Sequence, residues 1–195
     1  MVDVLGQWIQ EGKPIPPPAV VKHTAVREYG KKFGIKTFIE TGTFKGGMVE
    51  AVRTSFDRIY SIELSVELYA RAQARFAAYP HISILQGHSP RELQKILAEI
   101  TQPCLFWLDA HYSGGITAVE LKQTPILEEL EVIFSHSSKD HVIMIDDARC
   151  FTLNKRDYPR IEMLQTWVLE KRPEYIFQLE DDIIRIYPHL MPGGS

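Results

Sequence analysis

Asp109 and His111 stand two residues apart behind the apolar run Cys104–Leu108. Where extended backbone continues to His111, that spacing projects a carboxylate and an imidazole to the same side, an arrangement suited to abstracting a proton. The alternative is a loop pair that caps local backbone. For Asp109 the apolar and aromatic positions leading straight to it favour the chemical reading. A second acidic group, Asp146-Asp147, closes the run Val142–Ile145. Adjacent carboxylates there repel one another unless water, a cation or the nearby Arg149 offsets the charge.

A third feature is the turn Glu40-Thr41-Gly42-Thr43-Phe44-Lys45-Gly46-Gly47, which follows Phe38-Ile39. Glycines at such a place let backbone approach a ligand closely, and the amides of a following helix are free donors. A dinucleotide fingerprint starting at Gly42 requires glycine where Phe44 stands. A phosphate-binding loop requires Lys and Ser or Thr after Gly47, where Met48-Val49 stands. Glu40 reads either as a carboxylate capping this turn or as a ligand group. Glu63, 21 positions after Gly42, ends the next apolar run. A carboxylate there can accept both hydroxyls of a ribose, or can sit in solvent ahead of a helix and favour its dipole. Gln86-Gly87-His88-Ser89 ends another run, with Pro90 suiting a first helical turn and Ser89 suiting an N-cap. His88 reads more simply as an exposed loop residue. Lys22 and His23, on a predicted helix, read as its solvated face.

Five short apolar runs carry these groups: Thr37–Glu40, Arg58–Ile62, Ile82–Leu85, Cys104–Leu108 and Val142–Ile145. Stretches of helical period lie between and around them, near 20–33, 46–55, 65–78, 89–100, 123–135 and 158–171. Alternation of this kind predicts a parallel sheet covered by helices on both faces. Tyr175–Leu179 and Ile183–Tyr187 flank Glu180-Asp181-Asp182 with no helix between them, predicting an antiparallel hairpin and one reversed strand near an edge. Ligands of open α/β sheets bind outside the carboxyl ends of the strands, where these polar groups fall.

The 195 residues suffice for one domain with a self-sufficient core. Pro14, Pro16, Pro17 and Pro18 mark residues 1–18 as an N-terminal segment with a Pro-rich linker, 19–190 as the domain and 191–195 as a tail, read as vector-derived. With 22 basic and 25 acidic residues the net charge is −3, which argues against nucleic acid as a general partner. No apolar stretch reaches the ~18 residues of a membrane span, and the start lacks the pattern of a secretory signal. Cys104 and Cys150 read as reduced, buried thiols, and the chain as cytoplasmic.

Taken together, these strand ends resemble the class I S-adenosylmethionine-dependent methyltransferases. Glu40-Thr41-Gly42-Thr43-Phe44-Lys45-Gly46 is similar to their first motif, Glu63 to their ribose-binding acid, and His88-Ser89 lies at their adenine-side motif. Leu108-Asp109-Ala110-His111-Tyr112-Ser113-Gly114-Gly115 and Ile145-Asp146-Asp147-Ala148-Arg149 resemble the bacterial macrocin-type sugar and natural-product O-methyltransferases, in which strand-end aspartates bind a divalent metal. His88 departs from the acidic residue expected of many relatives. Tyr112–Gly115 has the composition of a lid, and equally of an ordinary loop.

The resemblance implies a Rossmann-like fold, a mostly parallel seven-stranded sheet with a C-terminal antiparallel hairpin. It implies methyl transfer from S-adenosylmethionine to a hydroxyl of a small molecule, a carbohydrate or natural product. Glu40, Thr41, Gly42, Thr43, Phe44, Gly46, Gly47, Glu63, Leu64, His88, Ser89 and Asp109 would hold the cofactor. Asp109, Asp146 and Asp147 would hold Mg²⁺ or Mn²⁺, and His111 or a carboxylate would take the proton. Two other readings stand beside it: a metal-independent N-methyltransferase, and a non-catalytic nucleotide-binding module of the same fold. Neither nucleic acid nor membrane is expected as a partner, and oligomeric state is left open.

Overall fold

The computed structural model describes residues 3–109, 124–152 and 158–189. Seven strands form one sheet: β1 (Thr37–Thr41), β2 (Arg58–Glu63), β3 (Ile82–Gln86), β4 (Cys104–Leu108), β5 (Val142–Ile145), β6 (Tyr175–Glu180) and β7 (Ile183–Pro188). Their order is β3-β2-β1-β4-β5-β7-β6. Strands β1 to β5 pair in parallel, while β7 runs antiparallel to both β5 and β6. The reversed strand is thus β7, one place in from the edge, as the hairpin pattern predicts.

The helices are α1 (Val4–Gln10), α2 (Ala19–Lys32), α3 (Gly47–Val52), α4 (Val66–Phe76), α5 (Ser89–Ala98), α6 (Ile126–Ser135) and α7 (Ile161–Lys171). Strand β4 shows why the runs are continuously apolar. Phe106 and Leu108 join the core under α5, α6 and α7, whereas Leu105 and Trp107 join the core under α2, α3 and α4. With both faces covered, no position of the strand is left for a polar residue until it emerges at Asp109.

Helix boundaries are tighter than the periodicity suggests. The predicted helix at 123–135 begins at Ile126 among the described residues. Residues 1–18, expected as a segment and linker, contain α1, which the prolines downstream had obscured. Trp8 is buried and donates its indole N–H to the Pro14 carbonyl at 2.9 Å, and Lys13 pairs with Asp181 at 2.9 Å. His111 and the candidate lid Tyr112–Gly115 lie outside the described residues.

Candidate active site

Because β1 leads to β2 on one side and β4 pairs on its other side, the crossovers diverge between the carboxyl ends of β1 and β4. Ladder bonds continue past these ends and fix the rim: Asp109 N–H donates to Thr41 O at 3.2 Å, and Asp146 N–H to Leu108 O at 3.0 Å. Gly42 has φ +86°, and a Cβ there would lie 3.1 Å from Asp109 Cβ. Glycine at this position therefore keeps the crevice between β1 and β4 open. Gly46, at φ +72°, is the N-cap of α3, where a Cβ would stand 2.6 Å from the Phe76 ring. Gly47 is unstrained and open, so nothing local demands glycine there.

Two acids hold the turn from beneath. Glu63 is buried, which removes the solvated-acid alternative: its oxygens accept the Phe44 amide at 2.8 Å and the Ser65 amide at 2.9 Å. It thereby ties the turn to the start of α4, with Leu64 exposed between. Glu40 does not cap the turn. It accepts from the Ser61 hydroxyl at 2.5 Å, and Ser61 lies 2.6 Å from the Thr43 hydroxyl. Burial pushes the Glu40 carboxyl up to about 8; the Ser61 hydrogen bond opposes this, and the charges of Asp109 and Glu63 add to it.

At the third strand end His88, not Ser89, takes the N-cap position of α5, and its side chain makes no capping bond. Ser89 is the first helical residue instead, and its hydroxyl faces Glu129 on α6. Glu129 is a residue that the motifs miss. It is 1% exposed, and burial pushes its carboxyl up to about 7, tempered by the hydroxyls of Ser89 and Thr41 and increased by Asp109. Neither of its oxygens, nor Thr41 Oγ1, completes a hydrogen bond of normal geometry. A signal for it exists in the sequence: Ile126, Leu130 and Ile133 form the buried stripe of α6, and Glu129 falls on that stripe.

Asp109, Asp146 and Asp147 come together, each offering an oxygen within 4.8 Å of the others. Asp147 adopts φ +55° and starts a short 3₁₀ turn, Ala148–Cys150. The repulsion expected of the pair is offset from two directions. Arg149 reaches Asp147 at 2.6 Å and also pairs with Asp182 in the β6–β7 turn. Lys22, expected on a solvated face, instead places Nζ 2.7 Å from Asp146 and 3.4 Å from Asp147. Its register on α2, with Ala25, Val26 and Tyr29, explains this, since those residues face the core. Burial raises the Asp146 carboxyl, and Lys22 works against that rise.

No family model and no curated protein matches the sequence. Solved structures do match in fold. An O-methyltransferase from Bacillus cereus in complex with SAH is 14% identical over 96% of this chain and 89% of its own, with a TM-score of 0.64. The O-methyltransferase TomG from Streptomyces achromogenes, in complex with SAM, is 13% identical over 96% and 90%, with a TM-score of 0.63. SAH-bound PaMTH1, a methyltransferase from Podospora anserina, is 13% identical over 97% and 89%, with a TM-score of 0.60. The chain therefore has the Rossmann-like fold of class I methyltransferases. At these identities the likeness is one of fold, and closeness to macrocin-type enzymes does not follow from it.

Proposed function

We propose that the chain transfers a methyl group from S-adenosylmethionine to a hydroxyl of a small molecule, with a carbohydrate or glycosylated natural product as acceptor. The observation that carries this reading is convergence: the Gly42 turn, Glu63, Ser89 and Asp109 meet at the carboxyl ends of β1 to β4, in a fold shared with methyltransferases that hold SAM or SAH.

The residues fit such a ligand. Glu63 holds one oxygen on the Phe44 amide of the turn and the other on the Ser65 amide at the start of α4, and each retains a lone pair for a ribose hydroxyl. Thr41 to Gly47 would line the crevice, with Glu40 beneath them, while Leu64, His88 and Ser89 would border the base. Asp109, beside Gly42, would face the reacting end. When bound, the sulfonium supplies an electrophilic methyl, and alignment of acceptor oxygen, carbon and sulfur provides much of the rate. His111, two residues beyond Asp109, or a carboxylate would accept the hydroxyl proton.

Asp109, Asp146 and Asp147 fit a hard divalent ion such as Mg²⁺ or Mn²⁺, because all three donors are carboxylates gathered at one point. Bound there, such an ion would orient the acceptor oxygen and lower its pKa. The ion pairs of Lys22 and Arg149 favour a second reading, in which the aspartates are neutralised without metal and position an amine for N-methylation. Methyl-labelled S-adenosylmethionine, offered with a panel of hydroxyl and amine acceptors with and without EDTA, separates these. Turnover on a hydroxyl that EDTA abolishes reversibly supports the first; EDTA-insensitive turnover on an amine supports the second. Cofactor binding with no turnover on any acceptor would leave a non-catalytic nucleotide-binding module. In the first reading, Asp109→Asn lowers turnover far more than cofactor affinity.

A further inference from the structure

Lys22 approaches the aspartates from α2, an element that contributes nothing else to the strand-end rim described above. Its ammonium lies 2.7 Å from Asp146 Oδ2 and 3.4 Å from Asp147 Oδ1. Asp146 Oδ1 is already engaged, since it accepts the Asp147 amide at 2.8 Å. The Lys22 ammonium sits on the other oxygen, Oδ2. Asp109, Asp146 and Asp147 are also the residues whose oxygens gather closely enough to hold an ion.

The two cations that touch the pair differ in how they are held. Arg149 bridges Asp147 and Asp182 through its guanidinium, and its own backbone amide donates to Asp182 Oδ1 at 2.8 Å. That makes it part of the wall. Lys22 makes only its contacts to the two aspartates among the described ion pairs, with no third anchor comparable to Asp182, so the flexible stem can leave without breaking any other described ion pair. A monovalent ammonium and a divalent ion cannot both stay within bonding distance of one carboxylate oxygen without strong mutual repulsion.

We propose that Lys22 is a resident competitor at the aspartate centre: its ammonium occupies the place of a divalent cation on Asp146 and Asp147, so that cation binding requires it to leave. Lys22 thus sets the affinity of the centre for metal. This rests on the reading of Asp109, Asp146 and Asp147 as a cation site, and its test distinguishes the two.

Mn²⁺ alone is titrated into the full chain, followed by calorimetry and by the paramagnetic resonance of the free ion. Wild type, Lys22→Met, Lys22→Arg and Asp146→Asn are compared. Lys22→Met should bind Mn²⁺ at least about tenfold more tightly than wild type, while Lys22→Arg, which keeps the charge, should bind no more tightly. Mn²⁺ should also raise the melting temperature of Lys22→Met by more than that of wild type. Should Lys22→Met not fold, wild type labelled at lysine Cε provides the second measurement: on saturation with Mg²⁺ one resonance should move to the position of a solvated lysine. Equal Mn²⁺ affinity in wild type and Lys22→Met, with binding lost in Asp146→Asn, or a lysine spectrum unmoved by saturating Mg²⁺, overturns the role of Lys22 and keeps the cation site. Absence of binding in every protein, Lys22→Met included, overturns both.

Discussion

At the scale of single residues, the site is a cluster of acids held out of water. Glu40 and Glu129 are raised to about 8 and about 7, mainly by burial. A raised folded-state pKa means that the native state binds more protons than the unfolded chain between the ordinary carboxylate value and the raised one. Stability therefore falls as pH rises through that window. Glu129→Gln removes a buried carboxylate without a normal hydrogen bond, and should stabilise the protein at pH 8 by about 1–3 kcal/mol and hardly at all near pH 4.5. Urea unfolding at the two pH values measures the difference. Glu63→Ala should weaken cofactor binding by roughly 1–3 kcal/mol, the scale of hydrogen bonds to a charged group. The variant also loses the tie between the Gly42 turn and α4, so circular dichroism must accompany calorimetry. His111→Ala, if His111 is the base, should slow the chemical step by roughly 10²–10⁴-fold with cofactor affinity unchanged. Single-turnover kinetics would report it. Near-normal turnover in the folded variant would move the proton to an aspartate or to water.

Elements carry those residues to their places, and most were legible. The end of β4 at Asp109 could be read because that strand, covered on both faces, has no polar position before it; β1 and β2 are less clean, since Glu40 precedes the last strand residue Thr41 and Ser61 lies buried within β2, where the two bond each other. Lys22 reads from the sequence as solvated face and Glu129 is not singled out at all, although both fall on core-facing stripes of α2 and α6. Helical periodicity averages over a stripe and treats one charge as noise, whereas here the charge is the part that reaches the site. The helix α1 was hidden for another reason: its short sequence has no partner within itself, and Trp8 becomes informative only once the backbone of Pro14 is beside it. The start of α3 yields a direct test. Gly46→Ala forces a Cβ into the Phe76 ring at φ +72°, and should cost about 2–4 kcal/mol by chemical denaturation.

The opposite end of the sheet holds a second titrating element. His136 Nε2–H donates to the Ile100 carbonyl at 2.7 Å, so its Nδ1 accepts from His141 Nε2–H at 2.9 Å, and His141 Nδ1 accepts the Cys104 amide at 3.0 Å. The His141 ring must be neutral for this chain to hold, because its Nδ1 accepts the Cys104 amide. Burial, with the charge of His136, depresses His141 from 6.5 to about 4. The unfolded chain then binds the extra proton first, so stability is complete above pH 6.5 and declines as pH falls toward 4, by about 3 kcal/mol at most. Acid unfolding of Glu129→Gln beside wild type removes one of the two opposing carboxyls, leaving Glu40 to act in the opposite sense to His141 where their windows overlap, between pH 4.5 and 6.5.

For the whole molecule, the sheet order places the crevice between β1 and β4, and helices pack a buried core against each face of that sheet. No described helix is long and apolar enough to cross a membrane. The net charge of −3 supplies no excess of positive charge to set against a phosphate backbone. The ligand proposed for the crevice is S-adenosylmethionine and not a dinucleotide, whose fingerprint loop needs glycine where Phe44 stands at φ +48°. The most direct test of this assignment is calorimetric titration of the purified chain with S-adenosylhomocysteine and, separately, with NAD. Saturable one-to-one binding of S-adenosylhomocysteine, weakened in Glu63→Ala, with no heat from NAD, is the expected result. Binding of NAD with none of S-adenosylhomocysteine would contradict it.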